Sequence, residues 1–302
     1  MKKKYLSPFK VSIIGVGLIG GSFGLALRKK KLVREVVGVG RHTHKLKKAK
    51  RLGAIDTYST DFARGVKDSD VVLIATPVSK IPLMVKRILP YLKDGCIITD
   101  VGSTKGWVVE KVEEILAKFS RERKGKKVYF IGGHPMAGSE KEGARNARAD
   151  IFSGSTCVLT PANRSGRAAL KVVKHLWTGT GARILLLEPE EHDRLVAYTS
   201  HLPHVLAASL ASLVGKVCRK NSRASRITAG SVSDMTRIAA SNPDLWADIC
   251  LSNSRAISES INGILKYLNK FKKSIENKRK EEVGDLFQKG RLARKELIRM
   301  ER

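Results

Sequence analysis

The chain has 302 residues, of which 42% are apolar, and its 58 Lys and Arg against 28 Asp and Glu give a formal net charge of +30. That length suffices for two domains with their own cores, and the apolar content excludes a disordered chain. No apolar run reaches the roughly 18 residues of a membrane span, and the basic start lacks the apolar stretch of a secretory signal. We therefore expect a cytoplasmic protein without membrane association. Since no motif for specific nucleic-acid binding accompanies the positive charge, we expect small anionic ligands instead.

The first 189 residues alternate short apolar runs with stretches of helical patterning. The predicted strands are residues 11–15, 36–39, 71–75, 96–99, 128–131, 155–160 and 183–187. The predicted helices are residues 20–28, 45–52, 81–92, 105–119 and 166–177. Continuous apolar runs are typical of parallel strands that are buried on both faces, so the alternation predicts a Rossmann-type, doubly wound parallel α/β sheet.

A glycine-rich segment, Gly-Val-Gly-Leu-Ile-Gly, follows the first predicted strand and opens the first predicted helix. In such a G-x-G-x-x-G turn the first glycine permits a tight turn, the second lets backbone approach a pyrophosphate, and the third packs helix on strand. The amides at the start of the helix then face the phosphates. We predict that a dinucleotide binds at Gly15, Gly17, Leu18, Ile19 and Gly20.

The end of the second predicted strand indicates which dinucleotide binds. NAD-binding folds usually carry an acidic residue there, which accepts a hydrogen bond from the ribose 2′-hydroxyl. Here the strand runs into Gly40, Arg41 and His42. A guanidinium binds a 2′-phosphate through paired hydrogen bonds, so Arg41, helped by Lys45, predicts NADP in preference to NAD.

Three loops at the carboxyl ends of predicted strands carry further candidate residues: Thr76 and Pro77, then Ser103, then His134. Ligands of open α/β sheets bind at this edge, so the first two loops should lie beside the cofactor and near His134. The sequence Gly-Gly-His-Pro-Met-Ala-Gly-Ser-Glu around His134 indicates an imidazole that accepts a proton near neutral pH. The alternatives are a structural histidine in a tight turn and, for Ser103, an N-cap of the following helix.

After residue 189 the sequence becomes helical throughout, with long Ala-, Leu- and Ser-rich runs at 190–215 and 244–273. We predict a dinucleotide-binding domain at 1–189 and a helical domain at 190–302. Long amphipathic helices often bury a face against a partner subunit, so we predict a homodimer. The alternative is that these helices pack only on one another.

The helical domain contains a Ser-His-Leu-Pro-His segment, residues 200–204, in which proline should bend the backbone. A zinc site there would lack a third ligand at a suitable spacing. Arg237 lies among small and apolar residues, where an arginine usually has a fixed anionic partner. That partner is either the nearby Asp234 or a substrate carboxylate.

Six ordered motifs resemble those of the prephenate dehydrogenase family, which includes enzymes that use arogenate. They are G-V-G-L-I-G-G-S (15–22), D-V-G-S-T-K-G (100–106), G-G-H-P-M-A-G-S-E (132–140), S-H-L-P-H (200–204), D-M-T-R-I-A (234–239) and N-P-D-L-W (242–246). The resemblance implies an enzyme of tyrosine biosynthesis that converts the dianion prephenate oxidatively to 4-hydroxyphenylpyruvate. It departs from many members in lacking an acidic residue after the second strand.

The resemblance also implies roles for individual residues. His134 matches the histidine that accepts the proton of the ring hydroxyl. Ser103 matches a serine that hydrogen-bonds near that hydroxyl and that histidine. Arg237 matches an arginine that binds a substrate carboxylate, His204 a histidine that lines the pocket, and Glu140 an acidic residue at its mouth. Alternatives are an arogenate dehydrogenase, a 3-hydroxyacid dehydrogenase, and a nonenzymatic dinucleotide sensor or nucleic-acid-binding protein.

Overall fold

A computed structural model describes residues 8–123, 125–138, 143–162 and 165–300. The strands of the described residues form one eight-stranded sheet in the order β3-β2-β1-β4-β5-β6-β7-β8. Their bounds are β1 Lys10–Ile14, β2 Glu35–Val39, β3 Thr57–Ser59, β4 Val71–Ile74, β5 Cys96–Asp100, β6 Val128–Pro135, β7 Thr156–Pro161 and β8 Arg183–Leu186. Every strand predicted from the apolar runs is present. The short β3 was not predicted because its residues are only partly buried or exposed and carry no apolar run.

The sheet departs from the expected parallel arrangement at one pair of strands. All pairs are parallel except β6 and β7, which run antiparallel. A parallel return needs a crossover connection, usually a helix, of a dozen or more residues. The described residues between β6 and β7 contain no α-helix, only the 3₁₀ helix Ala144–Asn146 and irregular turns, and the chain returns in the opposite direction. The doubly wound part thus ends at β6.

Helices cover both faces of this sheet, as the alternating pattern predicted. They are α1 Leu18–Lys29, α2 Thr43–Arg51, α3 Phe62–Val66, α4 Ile81–Ile88, α5 Gly106–Glu122 and α6 Arg167–Thr180. On one face Trp177 of α6 lies between Phe23 of α1 and Phe152, with ring centroids 4.5 and 5.1 Å apart. On the other face α3, α4 and α5 pack over a second apolar cluster. The two clusters cover both sheet faces, which explains why the strands have no polar alternation.

After β8, every regular element of the described residues is a helix or a helical turn. Its helices are α7 Pro189–Val196, α8 Leu202–Lys220, α9 Ser222–Arg226, α10 Gly230–Thr236, α11 Pro243–Ser252, α12 Ser254–Glu276 and α13 Lys280–Met300. The first long predicted helix is interrupted by a π-helical turn, Ala197–His201. Pro203 has no backbone N–H and therefore cannot make a regular α-helical hydrogen bond. The interruption lies next to this proline, where the sequence predicted a bend. The second long predicted helix breaks at Asn253 between α11 and α12.

The chain divides into two compact units, Met1–Ser254 and Arg255–Arg302. In the first unit, α7 packs against α5 of the sheet domain. In the second unit, Phe271 of α12 and Phe287 of α13 are in edge contact, and Ser274 donates to Glu282 across the turn. The predicted domain boundary at 189 stays a prediction.

By length and composition alone, one helical stretch among the described residues, Pro189–Lys220, is apolar enough to cross a membrane. One such stretch is weak evidence for a span. Only 17% of its most apolar window is buried, and Leu206, Leu213 and Val217 are exposed. An exposed apolar surface of this kind is also what a helix offers to a partner subunit.

Candidate active site

The three glycines of the G-x-G-x-x-G segment have three different surroundings. Gly15 has a φ of +94°, and a Cβ there would lie 2.3 Å from the carbonyl oxygen of Ala75. A Cβ on Gly20 would lie 2.2 Å from the carbonyl oxygen of Gly15, whereas one on Gly17 would meet open space. Gly15 therefore permits the tight turn, and Gly20 permits the close contact between α1 and β1. Gly17 leaves room for a ligand.

The start of α1 is suited to an anion. Gly17 is its N-cap residue, and no side chain accepts from the first backbone amides. The N–H groups of Leu18 and Ile19 therefore begin a twelve-residue helix whose dipole favours negative charge at this end. This geometry fits the pyrophosphate of a dinucleotide.

The other residues expected around the cofactor follow the neighbouring strands. Thr76 and Pro77 follow β4, and the Thr76 methyl group would be 3.4 Å from a Cβ on Gly15. Arg41 follows β2 and is exposed, just before α2. Both segments lie at the carboxyl edge of the sheet, on either side of the glycine turn in the order β2-β1-β4.

A buried ion pair joins the loop after β5 to strand β6. The Lys105 ammonium and the Asp100 carboxylate are in contact, and both side chains are completely buried. Lys105 also donates to the carbonyl oxygen of Gly133 at 2.9 Å, and the Gly133 amide donates to Asp100 at 3.0 Å. These bonds anchor the loop that carries Ser103 to the strand segment just before His134.

His134, on β6, lies at one end of a chain of side chains. Its Nδ1 is 2.9 Å from Nε2 of His192, and Nδ1 of His192 is 2.8 Å from Oδ1 of Asp193. Burial, followed by the charges of His192, Lys105 and His201, holds the pKa of His134 well below its usual range. The imidazole is therefore neutral at physiological pH and able to accept a proton.

Asp193 also holds the start of α5. Its carboxylate accepts hydrogen bonds from the backbone amides of Lys105 and Gly106, at 2.7 and 2.8 Å. The N-cap position of α5 is Lys105, without a side-chain capping bond of its own. The alternative in which Ser103 caps this helix is therefore wrong, because a carboxylate from α7 takes that role.

Two more histidines come from the Ser200–His204 segment. The His204 ring stacks on Trp246 with centroids 3.7 Å apart, and its Nδ1 donates to the carbonyl oxygen of Ser200 at 2.9 Å. His201 is buried, and Asn253 lies 3.3 Å from its Nδ1. Its Nε2 has no hydrogen-bond partner among the described residues. Burial lowers the pKa of His201 to about 4 and also lowers that of His204.

Arg237 begins a short 3₁₀ turn after α10 and is exposed. Burial chiefly, and to a smaller extent the nearby charge of Arg237, lowers the pKa of His204. Among the described residues no ion pair joins Arg237 to Asp234, so this charge is available to an anionic ligand. Glu140, the other predicted substrate residue, lies outside the described residues.

The residues that support His134 were not predicted from the sequence. His192 and Asp193 lie in a helical stretch that carries none of the six motifs, and Asn253 lies at a helix break. The only local signal was an adjacent histidine and aspartate among glutamates, which is typical of an exposed helix start. His192 and Asp193 lie on α7, which packs against α5, and the sequence pattern does not specify that contact.

Comparison with known proteins agrees with this geometry. Family models described as the nucleotide-binding domain and the dimerization domain of prephenate dehydrogenase match residues 23–186 and 188–289. A prephenate dehydrogenase of Bacillus subtilis is 34% identical, over 92% of this chain and 72% of its own length. A cyclohexadienyl dehydrogenase of Zymomonas mobilis is 32% identical, and the match covers 96% of this chain and 98% of that protein.

A solved structure extends the similarity to the fold. The prephenate dehydrogenase of A. aeolicus, in complex with hydroxyphenyl propionate and NAD⁺, superposes with a TM-score of 0.84. It is 31% identical, and the match covers 97% of this chain and 100% of that one. With its glycine turn, its partly buried histidine and both matched domains, this chain belongs to the prephenate dehydrogenase family of nicotinamide-dependent oxidoreductases.

Proposed function

We propose that this chain oxidises prephenate to 4-hydroxyphenylpyruvate and carbon dioxide in tyrosine biosynthesis. The observation that carries the proposal is His134, a neutral imidazole on the same sheet edge as the glycine turn that fits a dinucleotide. His134 accepts the proton of the ring hydroxyl as the carbon that bears it loses a hydride. The bound nicotinamide ring supplies the hydride acceptor. Loss of carbon dioxide then returns an electron pair to the ring, which becomes aromatic.

The remaining residues bind and orient the substrate. Prephenate carries two carboxylates, and the exposed guanidinium of Arg237 offers one of them a paired hydrogen bond. His204, held flat against Trp246, forms a rigid wall near this charge. Ser103 lies on the loop that the Asp100–Lys105 ion pair anchors beside β6, which suits a hydrogen bond near the substrate hydroxyl. Glu140 remains a predicted residue of the pocket mouth.

NADP is the cofactor that we propose, with NAD as the alternative. The exposed Arg41 follows β2 where an NAD-binding fold usually carries an acid, and Lys45 is exposed one turn further on. The A. aeolicus relative holds NAD⁺ in its structure, so the choice depends on this position. A guanidinium stabilises a 2′-phosphate, while the segment 40–42 after β2 carries no carboxylate for a ribose 2′-hydroxyl.

We also propose a homodimer formed through the helical region. The exposed apolar side chains of α8 support it, as does the match of residues 188–289 to a dimerization domain. The dimer accounts for the apolar composition of Pro189–Lys220 without a membrane. A cytoplasmic location and the lack of specific nucleic-acid binding stay predictions.

One spectrophotometric assay tests the activity, the substrate and the cofactor together. The purified chain is given prephenate or arogenate with NAD or NADP, and formation of reduced cofactor is followed. We expect the highest kcat/KM with prephenate and NADP, and a fall in kcat of about 10²–10⁴-fold for His134→Asn with cofactor affinity unchanged. The control is His175→Gln, which changes an exposed histidine on α6.

Three results would contradict parts of this proposal. A higher kcat/KM with arogenate would assign the alternative substrate, and a tenfold preference for NAD would remove the role of Arg41. Normal kinetics of His134→Asn would show that another group accepts the proton.

A further inference from the structure

Two buried residues outside the family motifs are connected to His134. His192 is completely buried on α7, and its ring meets that of His134 edge-on, with centroids 5.1 Å apart. Its Nε2 lies 2.9 Å from Nδ1 of His134, and its Nδ1 lies 2.8 Å from Asp193. Either ring could donate across the contact between the two histidines, so the position of each proton depends on Asp193.

Asp193 can only accept hydrogen bonds at this place. Two of its three partners are the backbone N–H groups of Lys105 and Gly106, which have no lone pair to offer. If the carboxyl group were protonated on the oxygen that faces one of these amides, its O–H hydrogen would compete with the amide hydrogen for the same space. The ionised form is also favoured by the N-terminus of α5, a helix of 17 residues. The third partner, Nδ1 of His192, must therefore donate to Asp193.

The hydrogen on Nδ1 of His192 determines the tautomer of the next ring. A neutral imidazole with its hydrogen on Nδ1 has a lone pair on Nε2, which accepts from Nδ1 of His134 at 2.9 Å. His134 then carries its own hydrogen on Nδ1 as well. Its lone pair is on Nε2, the nitrogen that does not contact His192.

We infer that His192 and Asp193 are positioning residues that hold His134 in the Nδ1–H tautomer, with the Nε2 lone pair presented to the substrate hydroxyl. This inference rests on the proposed function. When the hydroxyl proton moves to Nε2, His134 becomes a cation that still donates from Nδ1 to His192. The carboxylate at the far end of the chain then opposes that positive charge.

The test compares His192→Leu with His192→Gln. Leucine removes the acceptor, whereas the Oε1 atom of glutamine can still accept from Nδ1 of His134. We expect His192→Leu to lose about 10²-fold in kcat and His192→Gln to stay within about tenfold of wild type. Cofactor dissociation constants should not change, and His175→Gln should have wild-type kcat.

The tautomer is measured from the ring nitrogen chemical shifts in ¹⁵N NMR spectra of protein that carries ¹⁵N-labelled histidine. The His134 signals are those that disappear in the spectrum of His134→Asn. We expect the hydrogen on Nδ1 in wild type and on Nε2 in His192→Leu. A wild-type His134 with its hydrogen on Nε2, or wild-type kcat in His192→Leu, would overturn the inference. The wild-type spectrum decides even if a variant does not fold. Failure of the wild type to oxidise prephenate would instead contradict the proposed function, and the tautomer could still be measured.

Discussion

His201 makes a specific contribution to the pH dependence of stability. Its pKa is lowered from 6.5 to about 4 in the folded chain, first by burial and then by the charges of His192 and His204, against an opposing effect of Asp193. Between these two values the unfolded chain binds a proton at this position that the folded chain does not bind. The free energy of unfolding must therefore decrease as the pH falls through this range.

The size of the effect follows from the two pKa values. For a group with pKa 6.5 in the unfolded chain and about 4 in the folded chain, a change from about pH 7.5 to about pH 4.5 lowers the free energy of unfolding by about 2–3 kcal/mol. His201→Phe removes the titrating group and keeps an aromatic ring at a buried position. Over this pH interval we expect the free energy of unfolding of the variant to fall by about 2–3 kcal/mol less than that of wild type.

Urea unfolding at a fixed protomer concentration, at both pH values, measures the difference. The loss of the hydrogen bond with Asn253 lowers stability at both pH values, so it cancels in the comparison between them. His175→Gln serves as the control, since it removes an exposed histidine and should leave the pH dependence as in wild type. If wild type and His201→Phe lose stability in parallel, His201 does not titrate as its burial requires.

Two further predictions concern the cofactor turn and the substrate. Gly20→Ala would bring a Cβ within 2.2 Å of the Gly15 carbonyl oxygen and should lower the thermal midpoint, whereas Gly17→Ala meets open space and should mainly raise the KM for cofactor. Melting curves and cofactor kinetics of the pair separate the two effects, and equal destabilisation would contradict the assignment. Arg237→Gln should mainly raise the KM for prephenate, because it removes a contact made before and during reaction. A fall in kcat at unchanged KM would argue against that contact.

The parts of the site that were predictable from sequence depend on local geometry. Gly15 and Gly20 lie in one turn where backbone conformation and close packing admit few other residues, and Gly17 between them leaves room for a ligand, so the spacing of the three glycines indicates the dinucleotide turn. The apolar runs predicted the strands for a similar reason, because burial on both sheet faces leaves no place for polar side chains. Pro203 likewise indicated the interruption that the π-helical turn makes.

Sequence motifs and their family resemblance predicted that His134, Ser103, His204 and Arg237 belong to the site. They did not predict the contacts that support these residues. The reversal of β7 depends on a connection without a crossover helix, and an apolar strand looks the same in either direction. Asp193 lies 88 residues from the backbone amide of Lys105 that it binds.

By itself, then, the amino-acid order determined most strands of the sheet and the glycine turn, and it identified His134 as the candidate proton acceptor. Only the tertiary structure decided which partners surround that imidazole, namely a buried histidine and a carboxylate at the start of α5. The physical reason is that hydrogen bonds between distant segments form when α7 packs against α5, and no local periodicity encodes that contact.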